Sequence, residues 1–250
     1  MSEVLPEMQS GSVDRCGVVE LRRYALRRGQ RETLIELFDR EFVETQEAVG
    51  MSILGQFRDL DDPDSFVWMR GFADMNARRE ALESFYGGPV WKKHARAANA
   101  TMIDSDNVLL LRPVAGLELD RARRAAAGTV DPPGLLAVTI WSLACDTAAR
   151  VPELFRGALE PALGAAGIRV LASFATERSD NTFPGLPVRE NEDVFVCMSM
   201  FDNAAAHARH VHALEHSSLW SDACHALAPF LARPEEVLRL TPTARSALHA

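Results

Sequence analysis

Glu20, Arg22 and Tyr24 occupy every second position of VVELRRYAL, so an extended strand would set all three on one face. A carboxylate, a guanidinium and a phenol side by side are parts of a proton-transfer site. Glu20 would be the base, and Arg22 would hold the negative charge that develops on an enolate or carboxylate. In the run FVWMRGF, Trp68 and Arg70 share a face in the same way and add a second cationic anchor and an aromatic wall. Tyr24, Trp68, His94 and Trp141 are the expected ligand contacts around these three catalytic candidates, Glu20, Arg22 and Arg70. The expected pocket lies between sheets; a salt-bridged sheet face is the structural alternative.

The stretch SDNTFPGLPVRE, residues 179–190, is a second candidate. A loop this long, with two prolines and one glycine, is unusual unless it covers something; a lid or site wall is one reading and a plain surface loop the other. Phe183 is the expected lid contact, with Arg189 and Glu190 reaching across the mouth it covers. In HARHVHALEH, His212 and His216 have the i,i+4 spacing that zinc sites use, yet no HExxH pattern and no third ligand are evident, so no metal site is expected. The four cysteines, Cys16, Cys145, Cys197 and Cys224, form no CxxC pair, which argues against a disulfide framework or a zinc knuckle.

Composition narrows the partners. A formal net charge of −8 and a pI near 5.4 disfavour nucleic acid, whose phosphates need a concentrated positive face. No apolar run reaches the roughly 20 residues of a membrane helix. The opening MSEVLPEMQSGSVDRCG lacks the basic and apolar regions of a leader, so a cytoplasmic protein with residues 1–16 as a disordered tail is expected.

The elements that must carry these residues occur twice. SDNVLLLRP (105–113) lies over PEEVLRLTP (234–242) at an offset of 129, and 11 of the 48 positions from 66–113 are then identical to 195–242. Upstream the offset is 117, which sets Phe57 on Phe174 and Tyr24 on Trp141; the difference is the insertion around 175–192. Each copy reads as strand, amphipathic helix, two strands, helical pieces and a closing strand, the ferredoxin-like βαββαβ order. Residues 17–113 form the first unit, 114–134 a linker and 135–250 the second. FYGGPVW is a joint between helices and no phosphate cradle, because the second copy sets His216-Ser217-Ser218, with its helix-capping serines, opposite Gly87-Gly88-Pro89.

VVELRRYALRRGQ, the run from Phe66 to His94 and the closing NVLLLRP resemble the NIPSNAP family; NTFPGLPVRENEDVFVCMSMF and EVLRLTPTARSAL resemble the C-terminal unit of its tandem bacterial members. The resemblance implies an α+β fold of the dimeric α/β-barrel superfamily, two tandem ferredoxin-like units whose antiparallel sheets pair into one barrel. Cousins in that superfamily include cofactor-free monooxygenases, muconolactone isomerases and haem-binding proteins. The expected function is binding of a small, partly apolar organic molecule, with cofactor-independent isomerase, cyclase or monooxygenase-like chemistry. A non-catalytic scaffold and a haem-binding barrel are the alternatives. No cofactor is expected apart from that haem alternative, and association into a homo-oligomer is left open.

Overall fold

The computed structural model describes residues 16–115 and 124–250. The expected tail, save Cys16, and the linker residues 116–123 lie outside them. The first half runs β1 (Val18–Leu26), α1 (Arg31–Glu41), α2 (Val43–Glu47), β2 (Ser52–Asp59), β3 (Ser65–Phe72), α3 (Met75–Gly87), α4 (Pro89–Thr101) and β4 (Met102–Ala115). The second runs β5 (Leu135–Ser142), α5 (Val151–Leu154), a π-wound turn (Phe155–Leu159), α6 (Glu160–Ala165), β6 (Val170–Thr176), β7 (Val194–Phe201), α7 (Ala204–Glu215), α8 (Ser218–Leu227) and β8 (Glu236–Pro242). Each half runs in βαββαβ order, and the eight strands close into one antiparallel barrel in the order β1-β3-β2-β8-β5-β7-β6-β4.

The register repeats between the halves. Glu20 pairs with Arg70 across β1 and β3, and Ala137 with Ser199 across β5 and β7; Val19 pairs with Leu111, and Leu136 with Leu240. Two seams join the halves, β2 to β8 and β4 to β6. The barrel therefore closes within one chain, and every strand edge is paired without a second copy.

Alternation along the strands gives the barrel two faces. Val19, Leu21, Val67, Met69, Leu109 and Leu111 turn inward and pack against Leu136, Val138, Val196, Met198 and Leu240 of the other half. This interior is apolar and filled by side chains. The opposite faces carry the helices, α1–α4 over the first half and α5–α8 over the second, each with its own core. Both faces of the sheet are thus covered, which is why the strands are buried almost throughout.

Local sequence explains the helix boundaries. The Asp74 carboxylate caps α3 by accepting from the N–H groups of Asn76 and Ala77. Gly88 ends α3 and opens α4, with Pro89 in the first turn of α4. A Cβ at Gly88 would stand 2.8 Å from the Ser84 carbonyl oxygen, so the bend needs glycine. In the second half Ser217 makes the same joint, its hydroxyl accepting from the N–H of Trp220 at 3.2 Å.

Candidate functional site

Glu20, Arg22 and Tyr24 do share a face, but it is the helix-covered face and not the barrel interior. The expectation of a pocket between the sheets is corrected by this placement: the space between them is filled by the inward aliphatic side chains of both halves. Trp68 and Arg70 reach the same outer layer from β3, directly beside β1. Arg78 joins them from the first turns of α3.

These residues form one buried charge cluster. The Oε2 of Glu20 accepts from Arg22 Nη1 and Arg70 Nε, each at 2.7 Å, and its Oε1 accepts from Arg78 Nε at 2.6 Å. The side chains of Glu20, Arg70 and Arg78 have no exposed surface, and that of Arg22 is 1% exposed. Arg22 Nε donates to the Tyr24 hydroxyl at 3.0 Å, and Arg70 Nη1 to the Gln46 carboxamide at 3.0 Å. Burial would push the Glu20 carboxyl up, but the guanidiniums of Arg70, Arg22 and Arg78 together override it and hold it well below the usual carboxylate range. A carboxylate so placed is a weak base. Burial raises the Tyr24 phenol above its ordinary value, so it stays neutral at pH 7. Around the guanidiniums stand aromatic faces: Arg70 lies 5.0 Å from the Trp68 ring and 6.0 Å from that of Tyr86, and Arg22 lies 5.5 Å from Trp68.

The 179–190 loop comes over from the second half and covers this cluster. Asn181 accepts from Arg78 Nη1 at 3.0 Å, and the Thr182 hydroxyl lies 3.4 Å from the same nitrogen. Phe183 stacks on Tyr86 with ring centroids 5.8 Å apart. Arg189 and Glu190 sit elsewhere than expected. Arg189 fastens the loop's base, pairing with Glu192 and donating its backbone N–H to Val108 on β4, while Glu190 is exposed. His94 is also outside the cluster: its Nε2 is 3.4 Å from Glu41 Oε2, and its ring packs on Phe42.

Trp141 belongs to the other half, where it lines a cavity of about 310 Å³ between the β5–β7 sheet and helices α7 and α8. The lining repeats the first cluster position by position. Ala137 stands for Glu20, Thr139 for Arg22, Trp141 for Tyr24, Cys197 for Trp68, Ser199 for Arg70 and His207 for Arg78. Where the first half fills the layer with ion-paired side chains, the second uses small ones and leaves a hole. Trp141 donates its indole N–H to Glu235 Oε2 at 2.7 Å. Burial pushes the Cys197 thiol up to about 12, so it is no nucleophile at neutral pH. Burial, with Arg239 and His210 nearby, lowers the pKa of His207, which leaves a neutral imidazole on the wall.

The histidine run gains a third candidate ligand that sequence reading lacked: a ligand atom from each of His212, Glu215 and His216 lies within 4.8 Å of the others. All three are exposed on the end of α7, and among the described residues no further ligand joins them. Sequence reading also missed Arg78, Gln46 and Tyr86. Their signal was present in the duplication, where Arg78 faces a histidine and Tyr86 a glutamate.

Residues 19–116 match the sequence model of the NIPSNAP family. The first half is therefore similar to a NIPSNAP domain. The match stops short of the second half, whose likeness to the NIPSNAP domain rests here on element order and strand register. Whole-chain similarity is to solved structures of the same fold. One is a "putative monooxygenase" from Fusobacterium nucleatum, 8% identical over 90% of this chain and 92% of that one, TM-score 0.60. Another is an anthrone oxidase-like protein, 13% identical over 93% of this chain and 95% of that one, TM-score 0.57. A NIPSNAP family protein from Agrobacterium tumefaciens is 22% identical over 39% of this chain and 85% of that one, TM-score 0.36. Among curated proteins no sequence match is found.

Proposed function

We propose that the chain binds a small, mostly apolar organic molecule in the C-terminal cavity, between the sheet and helices α7 and α8. One observation carries the reading. At the positions where the first half is packed solid, the second holds about 310 Å³ of space walled by Trp141, Phe201 and Trp220, with Thr139, Ser199, His207, Glu215 and Glu235 as polar groups. That volume and that mixture of apolar wall with a few polar groups are those of small-molecule sites. Among the described residues the Thr139 side-chain hydroxyl makes no hydrogen bond, so it is free for a ligand.

Proton transfer on that ligand falls to His207 in this reading. A neutral imidazole can take a proton near pH 7, whereas three guanidiniums make Glu20 a poor acceptor. The monooxygenase and anthrone oxidase-like names of two neighbours support chemistry on an apolar organic substrate. A scaffold would present an apolar stripe on outer helices such as α3 and α4, and among the described residues none of the large exposed apolar side chains lies on those two. For haem, His94 is the first-half candidate, and it is already engaged by Glu41 and Phe42. No helix among the described residues is long and apolar enough to cross a membrane.

The test uses 2-naphthol, a neutral aromatic probe with one hydroxyl, followed by calorimetry on the natural chain and on Ser199→Phe. Binding that the bulky variant abolishes supports the site. No binding, or equal binding by both proteins, overturns it.

A further inference from the structure

The cluster in the first half is short of negative charge. Three guanidiniums surround one carboxylate, a formal excess of two positive charges on side chains at most 1% exposed. The groups that complete the shell are all neutral: Tyr24, Gln46, Asn181 and Thr182. No second carboxylate forms an ion pair with Arg22, Arg70 or Arg78 among the described residues. Burying uncompensated charge is costly, and such groups ordinarily find a counter-ion.

Hydrogen-bond donors are unsatisfied in the same place. Arg70 Nη2, Arg78 Nη2 and the Trp68 indole N–H are buried with no acceptor among the described residues. A shortage of acceptors beside an excess of positive charge is the shortage that an oxyanion fills. The position is also one that can open. Arg78 is closed off by Asn181 and Thr182 at the tip of the 179–190 loop, which is held there by their contacts, by Thr182 Oγ1 donating to the Met75 carbonyl and by Phe183 on Tyr86. The loop's base is fastened separately through Arg189. A tip held by a few neutral contacts over a cationic floor can be displaced by a ligand that offers a better acceptor.

We propose that this cluster is a second ligand site, for an aromatic carboxylate, with the 179–190 tip as its lid. The carboxylate takes the place of the Asn181 and Thr182 oxygens on Arg78 and reaches the free guanidinium N–H groups. Its ring lies among Tyr86, Phe183 and Trp68. Glu20 is then the fixed counter-charge that holds three guanidiniums in one array, a positioning residue rather than a base. The site is independent of the C-terminal cavity.

Benzoate is the probe, with acetate and chloride at matched ionic strength as controls, in thermal-shift and calorimetric titrations of the full chain. Benzoate is expected to stabilise the natural chain more than either control. Asn181→Asp places a carboxylate on Arg78 from within, so it is expected to raise the melting temperature and weaken benzoate binding at least about tenfold, the worth of one charge-assisted hydrogen bond. Thr182→Asp tests the same point from the neighbouring residue should Asn181→Asp fold poorly. Absence of a benzoate-specific shift in the natural chain overturns the proposal, as does a shift retained at full strength in the aspartate variants. Ser199→Phe is expected to leave benzoate binding unchanged, which separates this result from that at the C-terminal cavity.

Discussion

Replacing Glu20 with glutamine keeps the side chain's shape and removes, among the described residues, the only negative charge paired with three buried guanidiniums. In the natural chain the carboxylate receives three hydrogen bonds of 2.6–2.7 Å. In Glu20→Gln one end of the carboxamide becomes a donor and must face a guanidinium donor, so at least one contact turns repulsive. Breaking a buried ion pair from one side costs about 3–5 kcal/mol. For a chain of this size 1 kcal/mol is worth about 2–4 °C, so the melting temperature at pH 7 should fall by roughly 6–20 °C. The pH dependence carries its own signature. The folded pKa of Glu20 is depressed, so its stabilisation is fully present above the unfolded value of about 4.3 and is lost as the pH falls towards the folded value. The gap between natural chain and variant should therefore narrow below about pH 4 and stay constant above pH 6. Thermal unfolding followed by circular dichroism across that range measures both. A variant that melts within about 1 °C of the natural chain at pH 7 would refute the account of Glu20 as the counter-charge of the cluster.

Three further outcomes are expected. Gln56 is fully buried with both carboxamide atoms unpartnered, so Gln56→Met should stabilise the chain by about 1 kcal/mol, read as a higher urea midpoint at constant slope. Asp74→Ala removes the cap of α3, the helix that presents Arg78, and should cost about 1 kcal/mol in the same assay. His207 has a lowered folded pKa, so the natural chain should lose stability as the pH falls below about 6.5, and His207→Gln should lose less over that interval. Equal slopes for the two proteins would show that His207 titrates as it does in the unfolded chain.

The amino-acid sequence by itself determined the repeat and much of its geometry. Offsets of 117 and 129 set Glu20 on Ala137 and Arg70 on Ser199, and these residues pair at equivalent rungs of β1–β3 and β5–β7, because strand register follows the alternation of side chains. The same alternation set Glu20, Arg22 and Tyr24 on one face. It could not say which face, since a sheet covered on both sides is apolar on both, and only closure of the barrel decided that the aliphatic set faces inward and the charged set faces the helices. Arg78 and Asn181 are distant in sequence from Glu20 and share no period with it; α3 and a loop from the other half bring them there. The cavity was likewise a matter of volume rather than pattern. Ala137, Thr139, Cys197 and Ser199 look like ordinary strand residues, and the space they leave exists only because the helices above them stand off a sheet stripped of its large side chains.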